Sequence, residues 1–173
     1  MKQIVVESDM RFVVDDAQVF RVEENAYLQK SQNIMLCEFV AWNEANQVTL
    51  VEAKTSSPKP NNGCEDYKKT LPYFVDCVQH KFENSFHTFV AARVGRFAMD
   101  SKVVLPATVS SVVIGESNIT FYLVIKNHKT DWLPCISDML KKQLHPFFTC
   151  WNIKDSSVKV LNEDIARHKG LIE

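Results

Sequence analysis

The residues best suited to chemistry in this chain form one short run, Val48-Thr49-Leu50-Val51-Glu52-Ala53-Lys54. An apolar stretch ends in Glu-x-Lys. Side chains alternate along a strand, so Glu52 and Lys54 share a face. Upstream, the even positions Ile34, Leu36, Val40 and Trp42 make an apolar face that Glu38 interrupts. The polar turn Asn43-Glu44-Ala45-Asn46 lies between, so 34–42 and 47–54 are expected to pair as an antiparallel hairpin. That turn puts Glu38 level with residue 51 or 52. Parity then decides the outcome. Glu38 joins Glu52 and Lys54 only if the register sets it opposite an even-numbered position, and a slip of one residue turns it to the other face.

Two carboxylates and an ammonium group at one spot are what phosphodiester cleavage requires. Carboxylate oxygens suit Mg²⁺ or Mn²⁺, hard cations that prefer oxygen ligands. Such a cation polarises the phosphate and acidifies a bound water, and the lysine orients that water or stabilises the developing charge. The expected catalytic set is therefore Glu38, Glu52 and Lys54, with Glu38 and Glu52 as metal ligands.

The run Cys37-Glu38-Phe39-Val40, followed by Val48 to Lys54, resembles the core of the PD-(D/E)xK nuclease superfamily. That core carries an acid on one strand and (D/E)-x-K on the next. The resemblance covers about 34–54 closely and extends loosely to 126. It implies a restriction-endonuclease-like core, an α/β fold with a central mixed β-sheet flanked by helices. It also implies a Mg²⁺- or Mn²⁺-dependent endonuclease, with DNA the expected substrate and bacterial defence or DNA processing the expected setting. The first acid here is Glu38 where the family usually has Asp. The family often adds an acid from its first helix, and Glu23 or Glu24 would serve. The alternative is a nuclease-like binding or assembly module without catalysis. No recognition domain is evident, and cutting both strands usually needs two sites, so a homodimer or a larger complex is expected.

The triplet alone is weak, because Asp66-Tyr67-Lys68 also fits the pattern in what reads as a polar loop. Strand context is what favours Glu52 and Lys54 over an exposed ion pair. Gln79 or Lys81, on a long helix, would reach a phosphate near the site, against the plainer reading of a solvated helix face. Lys59, Lys68 and Lys69 would steer a nucleic-acid backbone, or would only solubilise a loop. Trp132 and Trp151 read as core residues rather than stacking platforms.

The elements that must position these groups follow from periodicity. Ile4 to Val6, Phe12 to Val14 and Val19 to Arg21 read as short strands, and 23–30 as a short helix. Ser56 to Gly63 reads as a loop. A helix is expected from Leu71 or Pro72 to Arg96, with Pro72 in its first turn and Leu71, Val75, Val78, Phe82, Phe86 and Phe89 on its apolar stripe. A central strand over 119–126, a helix capped by Asp131, strands over 147–153 and 158–161, and a last helix capped by Asn162 complete the pattern.

Composition closes off other classes. The chain has 173 residues, suited to one domain over 1–173, with 46% hydrophobic and 24% charged residues. A net charge of -1 announces no nucleic-acid partner, so any such contact needs a local basic face. No apolar run approaches the ~20 residues of a membrane span, and no signal peptide is read at the N-terminus, so the cytoplasm is the expected compartment. The five cysteines show no C-x-x-C spacing and read as reduced thiols, with Cys64 in a loop. The five histidines show no zinc-hydrolase pattern, and no phosphate-binding glycine loop occurs.

Overall fold

A computed structural model describes residues 1–30, 34–60, 65–97 and 103–173. The strands are β1 (Lys2–Glu7), β2 (Met10–Asp15), β3 (Val19–Phe20), β4 (Phe39–Trp42), β5 (Gln47–Lys54), β6 (Asn118–Ile125) and β7 (Val158–Asn162). The helices are α1 (Ala26–Gln29), α2 (Glu65–Arg93), α3 (Leu133–Trp151) and α4 (Glu163–His168). Strands β3-β4-β5-β6-β7 form one sheet, antiparallel from β3 to β5 and parallel from β5 to β7. Strands β1 and β2 form a separate antiparallel pair. The fold is α/β, a mixed central sheet flanked by helices.

Two cores sandwich that sheet. On one face Val40, Trp42, Val48, Leu50, Phe121 and Leu123 pack with the stripe of α2 and with Ile136, Leu140, Leu144 and Phe148 of α3. On the other, Phe39, Val51, Ala53, Val124 and Leu161 pack against the β1–β2 pair and Ala166 of α4. Strands β5 and β6 are thus buried on both faces, which explains their continuous apolar runs. Asn162 caps α4 by accepting the Ile165 N–H at 3.0 Å, as its position in the sequence suggests.

Several expected boundaries change. Residues 34–38 are not strand, because α2 side chains take backbone groups there: the Cys37 N–H donates to Ser85 Oγ at 2.7 Å and Asn84 Nδ2 donates to the Met35 carbonyl at 3.0 Å. Helix α2 begins at Glu65 and ends at Arg93, so Pro72 lies inside the helix rather than in its first turn. Asp66-Tyr67-Lys68 is accordingly helical, not loop. Residues 147–151 belong to α3 rather than to a strand, since Leu140, Leu144, Phe147 and Phe148 bury one helical stripe. Left-handed Asn152 (φ 53°) then ends that helix. Asp131 lies in a 3-10 turn over 130–132, and no side chain caps α3. Cys64 and the 61–63 end of the expected loop lie outside the described residues.

Candidate functional site

The pairing of β4 with β5 sets the site. Phe39 is opposite Val51, and the Glu38 N–H donates to the Val51 carbonyl at 3.0 Å. That bond is one residue out of the ladder's register, whose last pair is Phe39–Val51, so Glu38 lies just beyond the paired strand, near enough to Glu52 for the Glu52 charge to raise its pKa. Along β5, Val48 and Leu50 face α2, and Glu52 follows on the same side. Opposite it, Lys81 lies on α2 between the buried Val78 and Phe82.

Glu52 is fully buried, at 0% exposure. Its Oε1 lies 2.7 Å from Lys54 Nζ and 2.9 Å from Lys81 Nζ, and these lysine side chains are 30% and 15% exposed. Both contacts are ion pairs without good hydrogen-bond alignment, and Oε2 has no partner among the described residues. Burial raises the Glu52 pKa above the ordinary carboxylate value, and the charges of Lys81 and Lys54 pull it back down. Burial disfavours the Lys81 ammonium, but the Glu52 carboxylate outweighs that and holds its pKa above normal.

Around this pair gather three more acids. Glu38 has its pKa pushed up to about 9, by burial first, then by its hydrogen bond with Glu23 and the charge of Glu52. Glu23 is shifted the other way, chiefly by that same hydrogen bond, as expected of two carboxyl groups that share one proton. Glu23 also lies 3.9 Å from Lys81. Glu7, at the end of β1, is raised by burial and by the charge of Glu23, and it too contacts Glu38.

Of the residues expected from the sequence, Glu38, Glu52 and Lys54 come together, joined by Glu23 and Lys81. Glu24 instead pairs with Arg21 at 2.7 Å on the surface. Gln79 bonds Glu83 of its own helix at 3.0 Å, away from Lys81. Lys59, Lys68 and Lys69 are exposed, the last two in the opening turns of α2 rather than in a loop. Glu7 was not legible in the sequence, because a hairpin end carries no signal of what it packs against. A second unforeseen pair lies where β5 and β6 end: Ser57 Oγ is 2.8 Å from Nδ1 of the buried His128. Burial is the main force lowering the His128 pKa, which disfavours the charged imidazolium.

Compared with known families, curated proteins and solved structures, the chain matches no family model, no curated protein and no solved structure. The functional reading therefore rests on the site's own geometry. Among the described residues no helix is long and apolar enough to cross a membrane. Among them, too, no group of three or more His, Cys, Asp or Glu side chains is arranged to hold a metal ion. A fit to Mg²⁺ or Mn²⁺ thus rests on two protein carboxylates, with water and substrate supplying the rest, as is common for Mg²⁺. The buried Oε2 of Glu52, without a partner among the described residues, meets that condition. So does Glu38, crowded closely enough against Glu23 and Glu52 to retain a proton that a cation could displace.

The Glu38 shift gives a stability prediction. Between about pH 4.5 and about pH 9 the folded chain holds a proton on Glu38 that the unfolded chain has released. The contribution of this group is complete below that window and is lost as pH rises through it. Glu38→Gln, an uncharged mimic of the protonated acid, should gain on the wild type in thermal unfolding as pH rises from 5 to 9. A Tm difference between the two proteins that stays constant across that range would refute the assignment of the proton.

Proposed function

We propose that Glu38, Glu52 and Lys54 form a metal-dependent phosphodiesterase site, the core of an endonuclease acting on DNA. The observation that carries this reading is the fully buried Glu52, held between Lys54 of its own strand and Lys81 of α2, with Glu38 close enough to feel its charge. A buried carboxylate among charges is costly to maintain, and pKa values displaced by specific partners concentrate at functional sites. Mg²⁺ or Mn²⁺ held by Glu38 and Glu52 would supply Lewis acidity towards the phosphate and a more acidic water. Lys54, the more exposed ammonium, is suited to orient that water or to meet the charge developing on the phosphate. Lys81 is the more buried, and its charge is the largest influence pulling the Glu52 pKa down against burial. Lys59, Lys68 and Lys69 offer exposed cations to a nucleic-acid backbone. Double-strand cleavage by this chain would call for two copies or a larger complex, and a role in bacterial defence or DNA processing in the cytoplasm follows from the resemblance alone.

A second reading has its own support. Glu52 Oε1 is already neutralised by two ammonium groups, and no three-residue metal set stands ready among the described residues. On that reading the cluster is a structural ion network inside a non-catalytic binding module. Calorimetric titration with Mn²⁺ separates the two. The nuclease reading expects saturable binding that Glu38→Gln weakens at least ~10-fold, the loss expected when one of two protein ligands is replaced. The module reading expects no binding to the wild type.

A further inference from the structure

At the opposite end of the sheet from Glu52 lies a cleft of about 320 Å³. It sits where β6 begins and α3 ends, lined among others by Asn118, Trp151, Asn152, Lys154 and Ser157. Gln47 pairs with Asn118 at this end and Lys54 with Ile125 at the other. At the rise of a strand, the length of β5 puts about 23 Å between the two places.

The cleft has the volume of a small-molecule site and an unusual lining. Trp151, expected in the core, is 37% exposed; its ring packs on Phe86 at 79° with centroids 4.8 Å apart. The core thus fixes the indole while part of it lines the cleft. Lys154 is the one charged residue of the described lining. The carboxylate of the neighbouring Asp155 contacts His145 at 3.1 Å rather than Lys154. The side chains of Asn118, Asn152, Lys154 and Ser157 make no hydrogen bond or ion pair among the described residues. The cleft therefore combines a fixed aromatic surface, one cation, two uncommitted amides and one hydroxyl.

A ligand that matches all three is planar and aromatic, has polar edges, and carries an anion close to its ring. We propose that this cleft binds a nucleotide, its base against Trp151, its phosphate at Lys154 and its base edge read by Asn118 and Asn152. Stacking on an exposed aromatic tolerates any base, and side-chain amides match the donor and acceptor pattern of base edges. The ligand is either a free nucleotide or one nucleotide of a single strand. The site does not depend on the chemistry proposed at Glu52.

The test is tryptophan fluorescence of the full chain in EDTA, titrated with nucleoside monophosphates in one arm and with oligothymidylate in the other. Saturable quenching is expected in at least one arm, and the arm identifies the source of the nucleotide. Trp151→Leu, which removes the reporting ring and is read by equilibrium dialysis, should weaken binding roughly 5- to 100-fold, the range found for removing a stacking ring. Since Trp151 also packs on Phe86, the exposed Lys154→Met serves as the second variant and should weaken binding about 10-fold, the loss of one charge-assisted phosphate contact. Tyr73→Ala, an exposed ring on α2 outside the cleft, should bind like wild type. No saturable quenching in either arm, or wild-type affinity in Lys154→Met, would overturn the proposal. Binding that persists in a protein that cleaves nothing would leave it standing and remove only the nuclease reading.

Discussion

Replacing Glu52 by leucine should cost about 3 kcal/mol of stability, because breaking a buried ion pair strands the remaining charge. Lys54, 30% exposed, can turn its ammonium into water; Lys81, 15% exposed and set between Val78 and Phe82, has less freedom to do so. For a chain of this length that loss corresponds to a fall in Tm of roughly 6–12 °C. The double variant Glu52→Leu/Lys81→Met should recover most of it, since well-packed apolar residues often replace a buried pair at no net cost. Urea denaturation of the two variants reads both effects. A double variant as unstable as the single one would show that the loss comes from the misfit of the introduced leucine's shape rather than from the stranded ammonium of Lys81.

Lys54→Met should behave in the opposite way. Its partly exposed ion pair contributes about 1 kcal/mol or less, so the fold should survive with a small change in Tm. If Lys54 meets the charge that develops on the phosphate, its removal should slow cleavage by a factor on the order of 10²–10³. The initial rate of supercoiled plasmid loss in Mn²⁺ measures this. The pairing of small structural loss with large catalytic loss is what separates a working lysine from one that only balances Glu52. A variant that loses stability without losing rate would assign Lys54 to the structural network.

The sequence carried the shared face of Glu52 and Lys54, because side chains alternate along β5, but it left the partner of Glu38 open, and Glu38 lies just past the last ladder pair, Phe39–Val51. Lys81 was legible as a candidate but not separable from Gln79, since both lie on α2 and the helix phase decides which faces Glu52. Glu23 and Glu24 could not be told apart for a similar reason: a four-residue α1 sets no strong phase, and Arg21 claims Glu24. The errors at 34–38 and 147–151 have one origin. Apolar residues at short spacing fit a strand and a helix alike, and tertiary partners chose between them: Ser85 and Asn84 in the first case, the stripe of α3 in the second. Glu7 and the Ser57–His128 pair were invisible because they depend on which strand ends meet, and strand order is not written in any single segment.

The central claim, that Glu38, Glu52 and Lys54 form a metal-dependent phosphodiesterase site, is tested most directly by incubating plasmid DNA with purified wild type and with Lys54→Met, each verified as folded. The expected result is nicking or linearisation by the wild type in Mg²⁺ or Mn²⁺, none in EDTA, and at most about one hundredth of that rate from Lys54→Met. Equal cleavage by both proteins, or no cleavage of any DNA or RNA by a wild type that binds no Mn²⁺, would contradict it.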